Sequence, residues 1–461
     1  MIFRQILYRD LGCASYLLAD AGQAVVVDPR WDVDAYMELA AEEGVKIAYV
    51  LDTHLHADHV SGRERLAERT GARAYTPAGL SSDAATNGSG HGELAAGDTI
   101  AVGRLRMEAW ATPGHRPEHL AIVVTDVSRG EDPWLVMGGD SLLVGDLARP
   151  DLAIEPRAGA RELHSSLREM LSLGDHVELW PGHVGGSLCG GAGLSGKTSS
   201  TIGYERHHNR LLGLDRTRFV EEVVGELPPR PPNVARIVEL NRARTHSAPP
   251  LVPELDEDAL TCEIVAGAQV IDGRPPAIFD AGHLPGAINL PAGRSQGTRA
   301  GWVLDPDEPL VVIGSDRDHA RDVASGLHAV GLWAVVGLAA GAPERWTDAG
   351  LEVKRSSSWD VATLAEKLRA QEAQLVDVRE PDEWASGHVQ GSYSLPLHRL
   401  HGRDAIALES TTRPIAVACA GGMRAAFAAS VIRRRAHSEV IRVAGGGVGH
   451  LPSHEVPLTS D

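Results

Sequence analysis

Thr53-His54-Leu55-His56-Ala57-Asp58-His59-Val60-Ser61-Gly62 follows directly on the apolar run of residues 47–51. That run reads as a buried strand. The loop after it carries His54, His56, Asp58 and His59 in the pattern H-x-H-x-D-H. A lone histidine is usually a satisfied core or surface residue. Four ligand-type side chains this close are not explained by packing and read as a ligand loop. Strand-end loops are where α/β proteins place chemistry, because the sheet holds the loop still. Upstream, residues 1–8, 15–19 and 24–27 read as strands. Residues 32–43 have helical spacing, with Asp32 as a cap and Gly44 as the stop.

Three later stretches supply matching ligand types. Each follows an apolar run and sits among Gly or Pro: His115 after 105–110, Asp140 after 134–137 and His183 after 177–180. Strand ends converging on one sheet edge gather His54, His115, Asp140 and His183.

The bulk numbers bound the rest. The chain has 461 residues, enough for three or four domains, with 43% hydrophobic and 23% charged residues. A net charge of −18 argues against a nucleic-acid surface. Cys13, Cys189, Cys262 and Cys419 show no C-x-x-C spacing, so a disulfide framework is not expected and a reducing cytoplasm is. The N-terminus lacks the apolar core of a signal peptide, and no run of about 18 apolar residues exists to span a membrane.

The ligand pattern resembles the metallo-β-lactamase superfamily, an αββα sandwich. Gly139-Asp140-Ser141-Leu142-Leu143 and Ala148-Arg149-Pro150-Asp151-Leu152 are similar to the persulfide dioxygenases, relatives of glyoxalase II. The likeness extends through Ser200-Thr201-Ile202-Gly203-Tyr204-Glu205-Arg206 and covers residues 1–245. It implies one Fe(II) held by His54, His115 and Asp140, with His56, Asp58, His59 and His183 in the outer shell. The rival is a two-zinc hydrolase, with His56 joining the first metal and Asp58, His59 and His183 holding the second. Arg149, Lys197 and Arg210 are candidates for gripping an anionic thiol such as glutathione. Residues 185–197 are Gly-rich without phosphate-loop spacing and read as a flexible flap. Cys189 lies within it, where it could contact substrate, carry a persulfide or be incidental.

Pro-rich stretches at 227–232 and 247–253 flank a short predicted helix over 233–242, and the second reads as a linker. Beyond it the chain repeats. Asp272, Arg274, His283 and Gly286 recur as Asp377, Arg379, His388 and Gly391, a constant offset of 105 (377 − 272). In the second copy, the strand 414–418 runs into Cys419-Ala420-Gly421-Gly422-Met423-Arg424 and a helix over 425–434. This resembles a rhodanese domain, an α/β sulfurtransferase, with the six-residue loop as its cradle. Backbone N–H groups, the helix start and Arg424 all favour a thiolate at Cys419. Ala425 departs from the Ser or Thr of many relatives. The same offset places Gly314 and His319 at the Cys and Arg positions of the first copy, so residues 255–352 are expected to be inactive and residues 356–461 active.

The fused arrangement resembles the bacterial persulfide dioxygenase–sulfurtransferases of sulfide detoxification. It implies oxidation of a low-molecular-weight thiol persulfide by O2 to sulfite and thiol, with Cys419 making or using thiosulfate. The alternatives are a two-zinc thioesterase of the glyoxalase II type with accessory rhodanese domains, or a sulfur-carrier or sensing protein. Glutathione is the default thiol; bacillithiol, mycothiol, coenzyme A and free sulfide persulfides stay open. A homo-oligomer is the default expectation.

Overall fold

Alternation along the strand Cys13–Asp20 sets the architecture of the N-terminal half. Every residue of this strand is buried. Tyr16 and Leu18 point into a core shared with Ile100, Met107, Ile122, Val124 and Met137. Leu17 and Ala19 point the opposite way, onto Tyr36 and Ala40 of the helix Asp34–Glu42 and Leu66 of the helix Arg63–Thr70. A strand with apolar residues at both parities must be covered on both faces, by a sheet on one side and helices on the other.

The computed structural model describes residues 1–80, 90–243, 251–400, 412–451, 456, 458 and 459, without 186, 192, 226, 228 and 294. Two compact units form: Met1–Ala248 with Ala329–Gly331, and Pro249–His328 with Leu332–Asp461. In the first unit, one sheet takes Ile2–Tyr8, Cys13–Asp20, Gln23–Val27, Lys46–Leu51, Arg73–Pro77 and His91–Leu94 in chain order. The facing sheet is ordered Ser200–Thr201, Glu178–Pro181, Leu135–Gly139, Leu120–Asp126, Leu105–Ala111, Thr99–Val102. The helices Pro156–Met170 and Arg216–Gly225 cover its outer side through Leu163, Leu167, Met170 and Phe219. This is the αββα sandwich expected from the sequence. Asp32 does not cap the first helix, which begins at Asp34 with Val33 at the N-cap and no side-chain cap.

The second unit holds two parallel sheets. The first orders Ile288–Asn289, Gln269–Asp272, Leu310–Gly314 and Val335–Ala340. The second orders Ser358–Trp359, Val440–Val443, Ile415–Ala418, Gln374–Asp377 and Tyr393–Ser394. The sequence repeat is also a repeat of contacts. Arg274 Nη2 donates to Asp272 Oδ2 at 2.7 Å and to the Gly282 carbonyl at 2.8 Å. Arg379 Nη2 donates to Asp377 Oδ2 and to the Gly387 carbonyl, both at 2.7 Å. Phe279 stacks on His283 with ring centroids 4.0 Å apart, and Trp384 stacks on His388 at 4.0 Å. The aromatic pair keeps the 105-residue offset (384 − 279) although its identity changes.

The two repeats are joined by buried polar contacts. Asn289 N donates to Ser430 Oγ at 2.9 Å, and Arg442 Nε donates to Asp280 Oδ2 at 2.8 Å. Removing one partner of such a buried ion pair costs about 3–5 kcal/mol, because the other charge stays desolvated. Of the expected linker, residues 247–250 lie outside the described residues. Among the described residues no helix is long and apolar enough to cross a membrane.

Gly314 ends its strand where Cys419 follows the equivalent strand of the second repeat. A Cβ at Gly314 would lie 2.3 Å from Ala320 N and 2.5 Å from the Asp316 carbonyl oxygen. The backbone has closed over the place a nucleophilic side chain would occupy. Gly314→Cys should therefore cost about 1–3 kcal/mol of stability through overpacking, read as a lower urea midpoint. An unchanged midpoint would show that this loop opens freely.

Candidate metal centre and reactive cysteine

Four ligand-bearing loops leave the C-terminal ends of strands. His54 follows Lys46–Leu51, His115 follows Leu105–Ala111, Asp140 follows Leu135–Gly139 and His183 follows Glu178–Pro181. One ligand atom each of His54, His115 and Asp140 lies within 4.8 Å of the other two. His54 Nε2 and His115 Nε2 stand 3.7 and 3.5 Å from Asp140 Oδ2. Both nitrogens are buried with no hydrogen-bond partner, and Asp140 Oδ2 makes no well-aligned hydrogen bond. Its near neighbour is His183 Nε2 at 3.1 Å.

The outer contacts fix the tautomers. His115 Nδ1 lies 2.8 Å from the Arg149 carbonyl, which can only accept, so the ring proton is on Nδ1 and the Nε2 lone pair is free. Thr53 Oγ1 gives its proton to Asp28 Oδ2 at 2.9 Å and so accepts from His54 Nδ1 at 2.9 Å. That again leaves Nε2 with a lone pair. Burial, then the neighbouring imidazoles, hold His54 well below the usual histidine range and neutral. Burial likewise lowers His115. Burial opposes charge on Asp140, but His183 and His115 outweigh it and keep its carboxyl well below the usual range. Two neutral imidazole nitrogens and one carboxylate oxygen, buried and converging, suit a divalent transition metal with coordination positions left open.

His56 does not join this trio. Its Nε2 sits 3.2 Å from Asp28 Oδ1. Burial disfavours its charge, but Asp28, Asp52 and Asp58 raise it to about 9. Asp58 Oδ1 meets His59 Nδ1 at 3.1 Å, and Asp58 Oδ2 accepts from the Cys13 thiol at 3.2 Å. Among the described residues, His56, Asp58 and His59 form a second buried donor group, Cys13, Asp58 and His183 a third, Asp140, His183 and Cys189 a fourth, and Asp28, Asp52 and His56 a fifth. Burial pushes the Cys189 thiol up to about 12 despite His183.

In the second unit, Cys419 leaves the strand Ile415–Ala418 and precedes the helix Met423–Arg433. Gly422 N donates to Cys419 Sγ at 3.0 Å. A donor of this kind supports negative charge on sulfur. Arg424 is bidentate on Glu383, at 2.5 and 2.8 Å. Burial opposes its charge, but Glu383 and then Cys419 raise it. Arg424 thus lies near the thiol with its charge largely compensated.

Residues 8–183 match the metallo-beta-lactamase superfamily, and residues 256–349 and 360–449 each match the rhodanese-like domain. A crystal structure of a metallo-beta-lactamase from Staphylococcus aureus is similar at 28% identity and a TM-score of 0.65, covering 74% of this chain and 99% of that one. The chain belongs to the metallo-beta-lactamase superfamily and carries two rhodanese-like domains. The human protein named persulfide dioxygenase ETHE1, mitochondrial, is 29% identical over 250 residues, 52% of this chain and 87% of that protein. A beta-lactamase hydrolase-like protein of Agrobacterium fabrum is 26% identical over 256 residues, 49% of this chain. The chain spans only 56% of that relative's length.

Within the metallo-beta-lactamase domain, each of the three cations expected to grip substrate has a neighbour of its own. Arg149 is buried, donating to Asp151 at 2.7 and 2.9 Å, so its side chain is structural and its carbonyl orients His115. Arg210 pairs with Glu222 on the surface, and Lys197 Nζ lies 5.7 Å from the centre of the Tyr204 ring. Two described residues of the expected flap carry backbone bonds to the rest of the domain. Arg149 N donates to the Cys189 carbonyl at 2.9 Å, and Ser195 N to the Val144 carbonyl at 3.0 Å.

The sequence reading missed Asp28, Thr53 and His119. His119 Nε2 accepts from Asp140 N at 2.8 Å, and its Nδ1 meets Thr112 Oγ1 at 2.7 Å. It holds the backbone that carries the carboxylate. Gly139 permits this approach, since a Cβ there would lie 2.6 Å from His119 Nε2 and its φ is +49°. Outer contacts of this kind typically contribute 10–100-fold to metal affinity. Thr53→Val should weaken metal binding by about tenfold in a chelator competition. Unchanged affinity would show that Asp28 and Thr53 do not orient His54.

Proposed function

We propose that this protein oxidises a low-molecular-weight thiol persulfide with O2 and couples that reaction to sulfur transfer at Cys419. The observation that carries the first half is the trio itself. His54, His115 and Asp140 present buried ligand atoms to one point, while His56, tied to Asp28 through Nε2 with its Nδ1 unpartnered, falls in a separate donor group with Asp58 and His59. A two-zinc hydrolase would need His56 in the first coordination sphere. Two histidines and one carboxylate are the donor set of mononuclear non-haem iron oxygenases. The name of the human relative supports the same substrate class.

His54, His115 and Asp140 would hold one Fe(II), which when bound offers open positions where O2 and a persulfide sulfur can meet. The overall change is RSSH + O2 + H2O → RSH + HSO3⁻ + H⁺. The chain's own part is positioning and exclusion. Asp28 and Thr53 set the His54 ring, the Arg149 carbonyl sets His115, and His119 sets Asp140. All are buried, so bulk water is kept from the site.

At Cys419 the sulfur would travel as a persulfide. Sulfite attacks the outer sulfur, the S–S bond breaks, thiosulfate leaves and the thiolate is restored. The reverse direction loads Cys419 from thiosulfate. Gly422 N–H, 3.0 Å from Sγ, supports the anion in either direction. We assign the first repeat no chemistry, because Gly314 and His319 stand at the positions of Cys419 and Arg424.

Metal analysis of protein purified without oxygen, followed by oxygen uptake on adding glutathione persulfide, tests this reading. About one iron per chain is expected from one facial donor set, with uptake abolished in Asp140→Ala. Cys419→Ser should keep oxygen uptake and lose thiosulfate formation. Two zinc ions per chain with no oxygen uptake would overturn the dioxygenase and favour a thioesterase.

A further inference from the structure

The ligand loop is gripped from outside by one side chain of a helix that carries none of the ligands. Asn241 lies in the last turn of the helix Val234–Ala243 and is buried. Asparagine is a poor helix former, because its amide competes for nearby backbone groups, so its use here follows from what the amide binds. Asn241 Nδ2 donates to the His56 and His59 carbonyls, both at 2.9 Å, and Asn241 Oδ1 accepts from Ser61 N at 2.8 Å. Carbonyls can only accept and a backbone N–H can only donate, so these three partners fix which way the amide points. The helix is braced in turn. Asn233 Nδ2 donates to the Val330 carbonyl at 3.0 Å. Val330 lies in the turn Ala329–Gly331, which packs as part of this unit and whose Ala329 carbonyl accepts from Val60 N at 2.7 Å.

The grip matters because of what the loop carries beside the metal trio. The His56 ring lies 4.2 Å from that of His54, centre to centre, yet His56 Nε2 sits on Asp28 Oδ1 at 3.2 Å. Its Nδ1 is buried with no hydrogen-bond partner. A third imidazole therefore stands one ring away from the trio. The front of the loop is tied through Thr53, whose N–H and hydroxyl donate to Asp28 at 2.6 and 2.9 Å. The back is tied through Asn241. Three imidazoles on one ion suit tetrahedral zinc, whereas two with a carboxylate leave the open positions that an iron oxygenase needs.

We propose that Asn241 is a positioning residue of the metal centre. By holding the His56 and His59 carbonyls it keeps the His56 imidazole on Asp28 and off the metal, so that the protein ligands stay His54, His115 and Asp140 and the other positions stay open. This rests on those three residues holding the metal. The helix thereby sets the number of histidines at the site without itself touching the ion.

The test counts the histidines on the metal. The full-length protein is loaded with about one equivalent of Co(II), a paramagnetic ion accepted by N/O donor sets of this kind. Proton NMR then shows one far-shifted ring N–H for each coordinated imidazole, assigned by isotope labelling of the histidine nitrogens. The parent should show two, from His54 and His115, whose ring protons are on Nδ1. Asn241→Asp keeps the acceptor for Ser61 N but removes both donors to the loop, and a third resonance, from His56, should appear. Asn233→Ala loosens the same helix without touching the loop and should keep two. A merely structural role would lower stability and leave the count at two in Asn241→Asp, and that result would overturn the proposal. So would a third resonance in Asn233→Ala, which would trace the effect to helix packing. If Asn241→Asp does not fold, Asn241→Ala, which leaves room for water at the two carbonyls, is read in the same way. Three resonances already in the parent would sink the three-ligand reading of the site itself. Two in the parent and two in the Asn241 variants would sink the Asn241 assignment alone.

Discussion

Two imidazole nitrogens and a carboxylate oxygen brought together without hydrogen-bond donors are the constraint on which the N-terminal domain depends. Each buried polar atom left unsatisfied costs about 1–3 kcal/mol. His54 Nε2 and His115 Nε2 are both in that state. The fold makes no provision to satisfy them internally. Their rings are already committed at Nδ1, to Thr53 and to the Arg149 carbonyl. A cation is the partner that answers both nitrogens and the Asp140 carboxylate at once. A metal held there would add to native stability, since a ligand that binds only the folded chain stabilises it.

The sheets make this arrangement affordable. The two-faced burial of residues 13–27 and the covering helices lock the strands whose C-terminal ends carry the ligands. A loop anchored on a central strand cannot relax to satisfy an orphaned nitrogen. Asp140 shows the same logic. It follows a strand at Gly139, and His119 grips its backbone N–H. His183 Nε2 lies 3.1 Å from its Oδ2, so the backbone grip and this contact together fix the carboxylate.

Much of this was legible in the sequence because ligand-type residues at strand ends carry their own signal. Apolar runs gave the strands and the 105-residue offset gave the repeat, while the αββα sandwich and the rhodanese fold were implied by the resemblance that the H-x-H-x-D-H and Cys419 loops carry. What escaped depended on partners that local pattern does not reveal. Arg149 looked available, but Asp151 two residues away closes an ion pair with it in the interior. His119 stands four residues beyond His115 and belongs to no ligand motif, so nothing local marks its grip on the Asp140 backbone. The Phe279–His283 and Trp384–His388 stacks share one offset but differ in residue, so identity matching passed over them.

The chain's net charge of −18 sets the problem that the Cys419 site has to solve. Persulfides, sulfite and thiosulfate are anions. Charges farther away than the Debye length, about 8 Å at physiological ionic strength, are largely screened. The local field therefore decides whether such an anion settles. At the metal site, Asp28, Asp52, Asp58 and Asp140 crowd the same interior, and an anionic sulfur is unfavourable there without a bound cation. At Cys419 no metal is called for, because arginine supplies the charge. Arg424 shares that charge with Glu383, so the state of this ion pair sets how strongly the loop favours an anion.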